Sequence, residues 1–299
     1  MKTNPVYKRE MMVMARSLRM PLIITVFNSI LAIVALLNMY SNVLQVRLTA
    51  DIQYSSFLDL YRFVAGIEFI MLLLIMPATT AGSISGERER QTLDLMLTTG
   101  IKSWEIVAGM LGAAFVKIFL LVVSSFPVIA LVFVYGGITG RDVLLMLTCY
   151  VVSALFSGCL GICCSSLFKR STAATVAAYT CLAVIVAGTF AANSFAYSLA
   201  RMNWSQMGYT VGMIGEQAVN SGGFLYTLLL NPAAAFLVIL EGPQTAGSSG
   251  ILGMYGSRNG GFILNHWMVC SVAAQLLASA LLALLAVKMV RKRGIGRNV

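Results

Sequence analysis

Charge is scarce in this chain: Asp, Glu, Lys and Arg make up only 11% of its 299 residues, against about 25% in a soluble domain. That deficit excludes an ordinary water-soluble fold, which could not cover its surface with so few charges. Histidine is rarer still, with His266 the only one. The six cysteines (Cys149, Cys159, Cys163, Cys164, Cys181 and Cys270) show neither zinc-site spacing nor the framework of a secreted disulfide fold. No metal centre is expected, and the cysteines read as small buried residues. The sequence has no G-x-x-x-x-G-K-[ST] phosphate loop, which excludes nucleotide binding by that route. It has no evident nucleophile, base or carboxylate constellation either, so an intramembrane enzyme has little support.

What the chain has in abundance is apolar length, with 59% hydrophobic residues. Runs of about 20 apolar residues suffice to cross a hydrocarbon core roughly 30 Å thick as helices. Such runs predict an all-α polytopic membrane protein with spans at Leu22–Tyr40, Phe63–Ile84, Ile106–Tyr135, Val143–Phe168, Thr172–Phe195 and Trp267–Val290. The third is long enough that it must tilt, kink at Pro127 or protrude. No inverted internal repeat is evident.

An even number of crossings leaves both termini on one side, and basic residues choose the cytosol. The cytosolic set is Lys2, Lys8, Arg9, Arg16, Arg19, Arg88, Arg90, Lys102, Lys169, Arg170, Lys288, Arg291, Lys292, Arg293 and Arg297. Only Arg47, Arg62, Arg141, Arg201 and Arg258 fall outside, and Lys117 lies within a span. The net charge of +10 is therefore a topology signal that meets anionic lipid, and nucleic-acid binding is not expected. A further apolar stretch, Phe224–Leu240, is broken at Asn231-Pro232 and reads as an outer re-entrant or surface-lying helical pair before span six. The Gly- and Ser-rich stretch Gly242–Gly261 reads as an outer loop.

Between spans two and three lies the most charged interior segment, Ala81-Gly82-Ser83-Ile84-Ser85-Gly86-Glu87-Arg88-Glu89-Arg90-Gln91-Thr92-Leu93-Asp94-Leu95-Met96-Leu97-Thr98-Thr99. Glu87 and Glu89 suit a helix N-terminus, Arg90 and Asp94 share a face, and Leu93, Met96 and Leu97 form an apolar stripe. Gly100 suits a C′ position, and Ser103 with Glu105 suits the start of the next helix. The expectation is one short amphipathic helix over residues 86–100 at the cytosolic surface.

This run resembles the signature of ABC-2 type permeases, in which a small-residue turn and an E-x-E-x-x-T-L-[ED]-x-L-L-like run form the coupling helix. The opening Asn4-Pro5-Val6-Tyr7-Lys8-Arg9-Glu10 is similar to that family's N-terminal elbow, here residues 1–20. Gln91, Gly100 and Met110 depart from the usual Gly, Pro and Lys. The resemblance implies a single permease domain over 1–299, with outer re-entrant segment and loop at 197–266. It implies a separate cytosolic P-loop ATPase that binds ATP and Mg, and a second permease subunit, identical or related. Glu87, Arg88, Glu89, Arg90, Thr92, Leu93 and Leu97 would form the ATPase-coupling interface, charges setting register and leucines filling a cleft. Export across a prokaryotic plasma (inner) membrane is the usual sense of such a system.

Glu68 and Lys117 are the ionisable groups well inside apolar runs. They would either pair or snorkel as structural groups, or face a cargo. An ion- or proton-coupled carrier built on them is the alternative to the permease reading. Gly82 and Gly86, Gly136 and Gly140, and Gly208 and Gly212 mark only close helix packing.

Overall fold

A computed structural model describes residues 4–49, 54–98, 101–134, 139–206, 221–241, 263 and 266–295. Every element among them is helical. Helix α1 (Pro5–Arg16) precedes α2 (Arg19–Thr49) and α3 (Tyr54–Thr80), which are followed by two seven-residue helices, α4 (Ser83–Glu89) and α5 (Thr92–Thr98). Then come α6 (Ser103–Val134), α7 (Gly140–Leu167), α8 (Ser171–Ala183), a π turn (Val184–Gly188) and α9 (Thr189–Gln206). A 3-10 helix (Gly222–Leu230), α10 (Pro232–Glu241) and α11 (Trp267–Ile295) complete the chain.

Among the described residues six stretches are long and apolar enough to cross a membrane: Met20–Ser41, Tyr61–Glu89, Ser103–Pro127, Gly140–Leu167, Ser171–Asn203 and Trp267–Arg291. These are the six expected spans, and the second contains a helix break before its expected end. Helix α3 stops at Thr80, and Ile84 belongs to α4 beyond the Ala81-Gly82 turn.

Helix α7 is the central post, with 61% of its apolar window buried inside the chain, against 17% in the first, fifth and sixth spans. It packs against α3, α6, α8 and α11. Small residues allow this. A Cβ at Gly161 would fall 2.1 Å from Thr80 Oγ1 and 3.2 Å from Ala81 N, so a larger residue there would push α3 away, while one at Gly158 would fall 2.6 Å from the movable Met76 Cε. The chief cluster gathers Phe27 and Leu31 of α2, Phe69 and Leu72 of α3, Leu121 of α6 and Phe236 of α10. Phe69 stacks on Phe236 with ring centroids 4.3 Å apart.

The segment broken at Asn231-Pro232 is a bent pair, its two helices turning by 95°. Neither piece is long enough to cross alone, at about 2.0 Å per residue for the 3-10 part and 1.5 Å for the α part. Asn231 stabilises the corner from both sides. Its Oδ1 accepts from Ala233 N (2.9 Å) and Ala234 N (3.4 Å), capping α10, while Nδ2 donates to Val186 O (3.1 Å) in the π turn and Thr189 Oγ1 (2.7 Å). The Gly242–Gly261 loop, Gly136, Gly208 and Gly212 lie outside the described residues.

Candidate functional site

The charged segment after span two does not form the single helix expected over residues 86–100. It forms α4 and α5 with a break at Arg90-Gln91, where Gln91 adopts φ 59°. That left-handed backbone is what glycine provides most cheaply, so a family-common Gly there has a local geometric reason. Gly100 and the side chains of Asp94 and Leu97 lie outside the described set.

The N-terminus of α4 is capped from another helix. Ser165 of α7 accepts from Ile84 N (3.0 Å) and Ser85 N (2.9 Å) through Oγ, meeting donors that the short helix cannot satisfy itself. Gly82 must be small here because a Cβ would sit 2.9 Å from Ser171 Oγ at the start of α8.

The charges of α4 then return the favour. Arg88 donates to Phe168 O (2.6 Å) and Ser166 O (3.3 Å) at the C-terminal end of α7, where orphan carbonyls and the negative dipole end favour a cation. Glu89 accepts from Ser171 N (2.9 Å) at the positive end of α8. Glu87 is bound on both oxygens, by Arg9 of α1 and by the Thr92 hydroxyl of α5, whose Oγ1 also lies 3.1 Å from Glu87 O. One short helix is thus tied to α1, α5, α7 and α8.

Helix α1 is held just as closely to α6. Asn4 caps it by accepting from Val6 N (3.0 Å), with Pro5 in the first turn, and donates to Glu105 O (2.6 Å). Gly109 permits the approach, since a Cβ there would lie 3.0 Å from both Tyr7 N and Val6 Cβ. The start of α6 differs from expectation. Ser103 is its first helical residue, and Glu105 reaches back to Lys102 N at 3.2 Å, the half of a capping box supplied by an acidic third residue.

Of the two leucines expected to fill a partner's cleft, Leu93 packs inside the chain. It is buried with Val6, Ile84, Ile106, Met110 and Ile162, and Met96 packs against the same cluster. Met110 suits this apolar setting, where the family-common Lys would place an ammonium among hydrocarbon. The exposed surface is made instead by Glu89, Arg90, Gln91, Thr98 and Lys102, with Lys169 and Arg170 of the α7–α8 turn and Trp104, which is 55% exposed.

Sequence reasoning found Glu87, Arg88, Glu89 and Thr92 but not their partners Arg9, Ser165, Ser166, Phe168 and Ser171. Span four was expected to end at Phe168, yet no local pattern assigns which helix Ser165 and Ser166 would serve. Of the alternatives for Glu68 and Lys117, the pairing is not formed. Both Glu68 carboxyl oxygens are buried without a hydrogen-bond partner, and Lys117 is only half-buried on α6.

A family model described as ABC-2 family transporter protein matches residues 14–286. The chain belongs to the ABC-2 transporter family. It is the membrane-spanning permease component of an ABC-type transporter, a kind of component that is generally not catalytic itself. No curated protein matches the chain.

Proposed function

We propose that this permease is an exporter driven by a separate cytosolic P-loop ATPase, which binds ATP and Mg and docks on the α4–α5 turn. Two copies, or one copy and a related chain, complete the pathway in a prokaryotic plasma (inner) membrane, with both termini cytoplasmic. The bent pair Gly222–Leu240 acts as the re-entrant element on the outer side.

The observation that carries this reading is the division of labour in the α4–α5 segment. Glu87, Arg88 and Glu89 bind other elements of the chain, while Arg90 and Gln91 stand exposed at the tip. A push on the tip would pass through caps at the ends of α7 and α8 to the central and fifth spans. In this account Glu87, Arg88, Glu89, Thr92 and Leu93 hold the lever, and Arg90 with its exposed neighbours is the surface the ATPase touches. Basic side chains at the rim set register and encounter rate more than affinity.

The test is purification of the tagged chain from its native membrane in lipid-preserving conditions, with and without Arg90→Glu. The reading expects a P-loop ATPase in the parent preparation and at least tenfold less of it with the variant, which folds normally. A parent recovered intact without any ATPase would overturn it.

A further inference from the structure

Glu68 has a role that the docking of an ATPase does not explain. It lies on α3 with 1% of its surface exposed, and among the described residues it alone has buried carboxyl oxygens without a partner. Two hydroxyls stand beside it, Ser125 of α6 and Tyr150 of α7. Each is already committed as a donor. Tyr150 Oη donates to Ala65 O (2.8 Å), and Ser125 Oγ donates to Val122 O (2.7 Å). Tyr61, the nearest phenol on the same helix, donates to Met146 Sδ at 3.2 Å.

A hydroxyl has one proton to give. With those protons on the backbone carbonyls, what these groups turn toward Glu68 is lone pairs. An ionised carboxylate, itself only an acceptor, would complete a set of buried oxygens with no hydrogen among them, an arrangement that hydrocarbon penalises heavily. The charged groups of the neighbouring helices do not answer this need. Lys117 lies eight residues from Ser125 along α6, about 12 Å, and Arg62 lies six residues from Glu68 along α3, about 9 Å. Helix α7 adds Cys149, and α2 and α10 contribute apolar Phe27, Leu31, Phe236 and Ile239.

We propose that Glu68 is a proton-binding site, its side chain carried as a neutral carboxylic acid that donates its O–H across the helix interface to the Tyr150 or Ser125 oxygen. One proton supplies the donor that this acceptor cluster lacks. It also ties α3 to α6 or α7 by a bond that carries no charge. Ionisation then requires these helices to part and admit water, so the proton marks the closed arrangement. The assignment is independent of the ATPase partnership, because it rests on the contents of one buried cluster.

Infrared spectroscopy of the full chain in phosphatidylcholine vesicles tests it. The parent is expected to show the carbonyl stretch of a protonated carboxyl, slow to respond to deuterium oxide, and Glu68→Gln to lose it. Tyr150→Phe or Ser125→Ala, which leave the acid in place, are expected to shift the band, and they keep the proposal falsifiable if Glu68→Gln fails to fold. Absence of the band in the parent, its survival in Glu68→Gln, or its insensitivity to both hydroxyl deletions overturns the proposal. Loss of the band on adding sodium chloride assigns the site to a metal cation and overturns it equally.

Discussion

Glu87 and Glu68 are both carboxylates on the same stretch of chain, yet they live under opposite rules. At the junction of helix ends after span two Glu87 meets Arg9 and Thr92, and its neighbours Arg88 and Glu89 cap α7 and α8. In the buried interior of the span Glu68 meets hydroxyls that lie within hydrogen-bond distance of backbone carbonyls. The difference follows from where helices end. A terminus leaves orphan N–H and C=O groups that attract charged side chains, whereas the middle of a span has met its own backbone needs and offers a charge nothing. Charges at the boundary can therefore organise a junction, while one in the core must be neutralised.

The most severe way to break this comparison is to put a permanent charge in the core. Glu68→Lys is expected to destabilise the fold by at least about 3 kcal/mol, seen as loss of monodisperse protein on size exclusion. Lysine at Gln91, on the exposed tip, should leave the elution profile unchanged. Next in size is the steric seam between α3 and α7. Gly161→Leu should cost about 1–3 kcal/mol, because its Cβ meets Thr80 Oγ1 at 2.1 Å, while Gly140→Ala on the same helix meets nothing within 4 Å and should leave the midpoint of thermal unfolding in place.

The boundary charges should show smaller effects. Arg88→Ala removes a cap from α7 and Glu89→Ala removes one from α8, each lowering stability by about 1 kcal/mol. The two losses should fall short of adding, since the residues adjoin on α4 and their partners Phe168 and Ser171 lie in one junction; thermal unfolding of the double variant checks this. Smallest of all is the turn at Gln91. Gln91→Gly should be within about 0.5 kcal/mol of the parent, whereas Gln91→Val should cost about 1–2 kcal/mol for a β-branched residue at positive φ.

How much of this was legible in advance depended on whether the signal was local. The spans were, because twenty apolar residues between basic clusters need no tertiary information. The corner at Asn231-Pro232 was also readable, since proline removes a backbone donor and breaks the helix, while the capping by Asn231 Oδ1, which accepts from Ala233 N, needed the structure. The break at Gln91 was not, because Arg90 and Gln91 are ordinary helix formers and only packing of Leu93 inward forces the turn. The inward direction of Leu93 was hidden for the same reason. An apolar stripe on a short helix has a face but not a partner, and α1, α6 and α11 supplied one within the chain. The absence of a Glu68–Lys117 bridge follows from register between α3 and α6, which no sequence spacing sets.

The central claim is that the α4–α5 tip is the surface a partner ATPase touches, while the residues behind it are structural. A photo-crosslinking amino acid placed at Gln91, and in a second variant at the buried Ser85, tests it directly in native membranes. The account predicts an adduct with a P-loop ATPase from position 91 and none from position 85. No ATPase adduct from position 91, with the variant folded and the ATPase expressed, would contradict it.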